Sequence, residues 1–143
     1  MEAHVLLADF AQADASGKVN ALGLGWSVAS TPIQNHAVVI MLKVGWDETN
    51  TPHHLTLNLL TTDGANAVDV PTPFGPQPLQ VEMDFEVGRP PGLVRGSTID
   101  HAAAINVGGL PLQPGRYEWR LQIDDEQREG WRAPFLVRQT RPS

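Results

Sequence analysis

Residues 109–124 read Gly-Leu-Pro-Leu-Gln-Pro-Gly-Arg-Tyr-Glu-Trp-Arg-Leu-Gln-Ile-Asp, a Pro-Gly turn that runs straight into strict alternation. Successive side chains of an extended chain point to opposite faces. Tyr117, Trp119, Leu121 and Ile123 therefore share one face, and Glu118, Arg120, Gln122 and Asp124 share the other. This pattern predicts a half-buried antiparallel strand. Pro114 presets the turn, Gly115 supplies the positive φ of a type II turn, and Tyr117 is placed to tuck its hydroxyl back onto the preceding corner, as in a late strand of a β-sandwich.

The same period recurs on both sides of this stretch. Leu79, Val81, Met83, Phe85 and Val87 alternate with Gln80, Glu82, Asp84 and Glu86, and Leu55, Leu57 and Leu59 alternate with Thr56 and Asn58. Further strands are expected at His4 to Phe10, Val19 to Val28, His36 to Trp46, Ala65 to Val70, Ser97 to Val107 and Trp131 to Arg138. Within Val19 to Val28, Gly23 and Gly25 lie on one face, which predicts a close neighbour against that face. Asp14 to Lys18 and Asp124 to Gly130 are polar or charged turns, Ser30 to Asn35 and Asp47 to Pro52 are connections, and Asp63-Gly64 suits a tight hairpin turn. The proline-rich run Pro71 to Pro78 lacks too many ladder donors to be a central strand. No window carries a helical period. The expected fold is all-β: an antiparallel β-sandwich, immunoglobulin-like or a similar Greek key of about eight strands. It forms one domain over 1–143, with 139–143 a frayed tail.

Composition narrows the function classes. A chain of 143 residues can bury a sizeable core without staples, and with no cysteine it has no disulfide, thiolate metal site or cysteine nucleophile, which favours a reducing cytoplasm. A net charge of -6 opposes binding to nucleic acid or anionic lipid. The N-terminus, Met1-Glu2-Ala3-His4-Val5, has neither a basic n-region nor a long apolar run, so neither a signal peptide nor a membrane span is expected.

Catalytic constellations are weak. Ser16, Ser27, Ser30, Ser97 and Ser143 all lie outside a Gly-x-Ser-x-Gly elbow, and Gly23-Leu24-Gly25 lies away from any strand-to-helix turn. His53 and His54 project to opposite faces of one strand and cannot chelate a single metal there, so a solvated strand end is expected rather than a site shared with Asp47. His101 is expected to be a hydrogen-bonded core or rim histidine. The row Glu82, Asp84 and Glu86 diverges along a strand, and a calcium site needs convergence. The expectation is a non-catalytic domain with no cofactor and no metal.

Two features suggest contact with a partner protein or a second copy of the chain. Arg89 and Arg95 flank the stiff Pro90-Pro91-Gly92, which would present their guanidinium groups at little entropic cost. The plain alternative is a crossover whose arginines pair with the neighbouring acidic row. Val39 and Met41 make the second face of the His36 to Trp46 strand too apolar for open water, so a loop or a second chain should cover it. A small-ligand or carbohydrate module would need Trp26, Trp46 or Trp131 exposed, and a metalloprotein or hydrolase would need His4, His53, His54 or His101 gathered with acids.

Val5-Leu6-Leu7-Ala8-Asp9, Leu22-Gly23-Leu24-Gly25-Trp26, Val44-Gly45-Trp46-Asp47-Glu48, Phe85-Glu86-Val87-Gly88-Arg89-Pro90-Pro91-Gly92 and Leu112-Gln113-Pro114-Gly115-Arg116-Tyr117-Glu118-Trp119 together resemble an uncharacterised family of small actinobacterial β-sandwich proteins. The resemblance implies a bacterial, cytoplasmic domain of unknown function. It brings no catalytic residue with it.

Overall fold

The computed structural model describes residues 1–62 and 66–139. Asp63-Gly64 and most of the expected tail lie outside the described residues. The chain is all-β. Its strands are β1 (Glu2–Ala8), β2 (Phe10–Ala13), β3 (Val19–Leu22), β4 (Val28–Ser30), β5 (His36–Val44), β6 (His53–Thr61), β7 (Asp69–Val70), β8 (Gln77–Pro78), β9 (Gln80–Phe85), β10 (Ile99–Val107), β11 (Gly115–Ile123) and β12 (Arg132–Arg138), with a 3-10 turn at Trp46–Glu48.

These strands form a five-stranded sheet in the order β4-β12-β11-β6-β9, a three-stranded sheet β1-β5-β10, and two two-stranded sheets, β2-β3 and β7-β8. The expectation of about eight antiparallel strands is corrected in two respects. The chain bends at Asp9 and between Gly23 and Gly25, so two expected strands become four. In addition, β4 runs parallel to β12. Gly23 and Gly25 break the Val19 to Val28 run because both have positive φ, +63° and +94°, which glycine adopts without a Cβ penalty.

The organising strand β11 lies between β12 and β6, with Trp119 opposite Ala133 on one side and Leu59 on the other. Tyr117 donates its hydroxyl to the Gln113 carbonyl at 2.6 Å, as expected, but Gly115 has a φ of 157° and already belongs to β11, which corrects the expected type II turn. One cluster of buried side chains draws on both larger sheets: Val5, Ile40 and Leu42 from the three-stranded sheet, and Leu57, Trp119, Leu121 and Phe135 from the five-stranded one. The other face of β11 is more buried than alternation implies. Glu118 is 2% exposed because Leu60 and Pro134 flank it in register, and Arg120 folds over it with Nε and Nη2 both 3.0 Å from Oε2.

The second face of β5 is covered by the chain itself. The β2-β3 hairpin places Ala11 against Ala8, Ala37 and Val39, and Val19 and Ala21 pack beside them. Asn106 on β10 holds the hairpin down, accepting from the Ala11 N–H (3.3 Å) and donating to its carbonyl (2.8 Å). Asp14 closes the hairpin turn by accepting from the main chain of Ser16 and Lys18.

Candidate functional site

The histidines and acids form two ladders, one on each face of the β6 end. His53 is buried; its Nδ1 meets Asp124 Oδ2 at 2.6 Å, its Nε2 meets the Glu48 carbonyl at 2.7 Å, and its ring stacks on Phe85. Asp124 Oδ1 also accepts from the His54 N–H at 2.9 Å. Burial disfavours charge on His53, but the Glu48 carbonyl and the Asp124 carboxylate outweigh it and hold the ring's pKa above its ordinary value. Burial opposes the Asp124 carboxylate in the same way, and its bonds to His53 and His54 outweigh that and hold it below the carboxylate range. Asp124 and Asp125 reach this position through a two-residue turn with φ of 50° and 65°. Asp tolerates that conformation because its short polar side chain bonds locally.

His54 is exposed on the opposite face, with Nδ1 2.7 Å from Asp84 Oδ1 and Nε2 3.7 Å from Glu82 Oε1. The Asp84 bond raises its pKa. The two histidines thus stay on separate faces, as the spacing requires, and Asp47 joins neither. The expected solvated strand end holds for His54 but is corrected for His53, which is buried and bonded to Asp124 and the Glu48 carbonyl. Among the described residues no group of three or more His, Asp or Glu is arranged to hold a metal ion. His101 is half-buried and stacks on Phe85 at 5.7 Å between ring centroids, and burial lowers its pKa. Among the described residues its ring has no hydrogen bond, which corrects the expectation of one.

Arg89 is committed to its own chain. Its Nε donates to Thr49 Oγ1 at 2.6 Å, its Nη2 donates to the Trp46 carbonyl at 2.8 Å, and the guanidinium lies 4.1 Å from the centre of the Trp46 ring. This corrects both the expectation of a presented Arg89 and the alternative in which it pairs with the acidic row. Arg95 is exposed beside Val94, itself 77% exposed. Val39 is 2% exposed under the β2-β3 hairpin, which corrects its assignment to a contact surface. Met41 remains 38% exposed, in a groove of about 690 Å³ that also takes in His4, Leu6, Lys18, Val19, Lys43 and Asp100.

The tryptophans divide in the same way. Trp131 is buried and Arg89 covers Trp46, while Trp26 lines a groove of about 610 Å³ with Asp9, β4 and the segment from Thr31 to His36. Trp26 packs edge-on against His36 and Phe135, and its indole N–H is buried without a partner. His36 lies deep beneath the groove. Trp119 donates its indole N–H to His36 Nε2 at 3.2 Å, so Nε2 is the unprotonated nitrogen and the Nδ1 proton faces the Gln34 carbonyl at 3.4 Å. Burial lowers the pKa of His36. The signal for His36 in the sequence is its parity: it shares the face of Val38 and Ile40.

The core leaves out a set of apolar side chains, of which Val28 lines this groove. Phe10 and Leu22 face each other across the hairpin at 51% and 68% exposed, Leu24 is 54% exposed and Val28 47%. Two main-chain hydrogen bonds, Asp9 N–H to the Leu22 carbonyl (2.8 Å) and Gly25 N–H to the Leu7 carbonyl (2.7 Å), bring the set together. Glycine suits position 23 through its φ of +63°, and the missing Cβ leaves room for the Asp9 carboxylate. The close neighbour predicted for the glycine face is found at Gly23 alone, where it is the Asp9 carboxylate; Gly25 faces open space, and both glycines lie in the turn between β3 and β4. Residue-by-residue alternation placed Leu22, Leu24, Trp26 and Val28 on one strand; the turn at Gly23 instead leaves Leu22 at the end of β3 and brings Trp26 and Val28 to the groove.

No helix among the described residues is long and apolar enough to cross a membrane. No curated protein and no solved structure matches the chain. Residues 3–138 match the model of a family of unknown function, DUF6941, and the chain belongs to that family.

Proposed function

We propose that this chain is an immunoglobulin-like β-sandwich without catalytic activity, and that it works by holding a protein partner. On this reading the three-stranded and five-stranded sheets are its two layers. The absence of cysteine and the family resemblance fit the cytoplasm of an actinobacterium. The observation that carries the proposal is four large apolar side chains left about half exposed or more: Phe10 and Leu22, paired across the β2-β3 hairpin, Leu24 in the turn that follows, and Val28 in the wall of the groove. Clustered apolar exposure costs solvation that a partner would recover.

Site-specific photo-crosslinking tests it. A benzophenone side chain at Leu22 or Leu24 in the living cell is expected to give a discrete protein adduct. The same probe at Arg132, exposed and remote in sequence from the groove, should give none. Equal labelling at all three positions, or no adduct at Leu22 and Leu24, would remove the basis for the reading.

A further inference from the structure

The outer edge of β4 is an open hydrogen-bonding ladder, and its phase follows from the bonds to β12. Leu136 donates its N–H to the Ser27 carbonyl at 2.8 Å, and Thr31 donates its N–H to the Arg138 carbonyl at 2.8 Å. In a parallel pair alternate residues face the neighbouring strand. Ser27, Ala29 and Thr31 therefore face β12, and Val28 and Ser30 turn their N–H and C=O groups away from it. Among the described residues these groups have no main-chain or side-chain partner.

Other sheet edges are guarded. Leu22 and Gly25 close part of the β1 edge through the two bonds to Leu7 and Asp9. Asn106 on β10 grips β2. Glu82 and Asp84 line β9, and Pro78 stands just before it. Charged side chains and prolines on an edge discourage strand pairing; Val28-Ala29-Ser30 carries neither within the strand, and its nearest proline, Pro32, follows it. The groove of about 610 Å³ runs along this strand, with Asp9, Trp26 and Val28 on its wall.

We propose that β4 is a docking edge for an extended, basic and apolar peptide segment of another protein, which adds a strand beside Val28–Ser30. This rests on the reading of the chain as a partner-binding domain and names the surface and the partner's chemistry. The open N–H and C=O groups select an extended backbone. Trp26 and the half-exposed Val28, which line the groove, favour apolar side chains at alternate positions of that peptide. The Asp9 carboxylate in the groove, which has no ion-pair partner among the described residues, on a chain of net charge -6, favours a lysine or arginine among them.

The probe is an acetylated, amidated Lys-Val-Thr-Val-Lys-Val-Thr peptide titrated into the isotope-labelled protein and followed by amide resonances. The Val28 and Ser30 N–H signals are expected to shift and their hydrogen exchange to slow. N-methylation of alternate peptide amides should weaken binding roughly tenfold or more, since it removes the donors to the edge. Val28→Pro and Ser30→Pro should weaken it similarly while keeping the parent melting temperature, because neither N–H serves the β12 ladder.

A peptide with Glu in place of Lys that binds equally well would overturn the basic partner. Shifts confined to the Met41 groove, no binding at all, or full binding by the N-methylated peptide would overturn strand addition. A dimer that Val28→Pro dissociates would make the occupant a second copy and overturn the proposal as stated. Any of these failures alongside intact crosslinking at Leu22 would leave the partner-binding reading standing.

Discussion

At the scale of the residue, Trp119 and His36 carry the centre of the molecule. Trp119 is fully buried between Ala133 and Leu59, and its indole N–H has His36 as its acceptor. Trp119→Ala is expected to cost about 3–5 kcal/mol, through lost transfer energy and the cavity left behind. Chemical denaturation would show it as a lowered midpoint; a midpoint at the parent value would contradict the burial. Trp26 is the converse case. Its indole N–H is buried without an acceptor, so Trp26→Phe removes an unsatisfied donor and should cost well under the roughly 3 kcal/mol or more expected for a large aromatic truncation. The same denaturation measurement compares the two. Trp119 was legible from alternation alone, whereas the demand of its N–H for His36, 83 residues away in the chain, was not.

At the scale of the element, the β6 start, the β11 end and the 3-10 turn are tied by one ion pair. The pKa of His53 is raised above its ordinary value of 6.5, so its contribution to stability is complete below that pH and is lost as pH rises through the folded value. That of Asp124 is lowered below 3.8, so its contribution is complete above that pH and is lost as pH falls through the folded value. The pair therefore contributes most between about pH 4 and 6.5. Thermal melting of Asp124→Asn against the parent should show its largest deficit in that window and a smaller one at pH 9. His36 and His101 act in the opposite sense, since burial lowers their pKa and stability from them falls as pH drops below 6.5. The difference between parent and Asp124→Asn isolates the pair from them. Asp124 reads in sequence as part of a charged turn. Its role follows from a turn geometry that aims one carboxylate at both the His53 ring and the His54 N–H.

At the scale of the whole molecule, the three-stranded sheet is covered on both faces, by the shared core on one side and by the β2-β3 hairpin on part of the other. Val39→Asp would bury an unpaired charge beneath the hairpin and is expected to cost about 4 kcal/mol or more. Met41→Asp, two residues along and on the same face, should cost less than about 1 kcal/mol because Met41 reaches the groove surface. Equal effects on the denaturation midpoint would contradict the partial cover. Asn106→Ala should speed amide exchange at Ala11 and Ala21 while leaving Leu57 and Trp119 at parent rates, because it releases the hairpin and not the core.

Period-two patterning by itself determined that this chain is all-β, which side chains of β6, β9, β11 and β12 turn toward the core, and that Tyr117 closes back on its corner. Each of these depends on neighbours a few residues away. Only the tertiary structure decided that Val39 is covered by the chain's own hairpin, that Arg89 is spent on Trp46 and Thr49, that Glu118 is buried under Arg120, and that the Val19 to Val28 run breaks to leave β4 as an open edge. The physical reason is that alternation specifies which side of a strand is apolar. What lies against that side, and which backbone groups go unpaired, depends on partners distant in the chain that meet only when the sheets assemble.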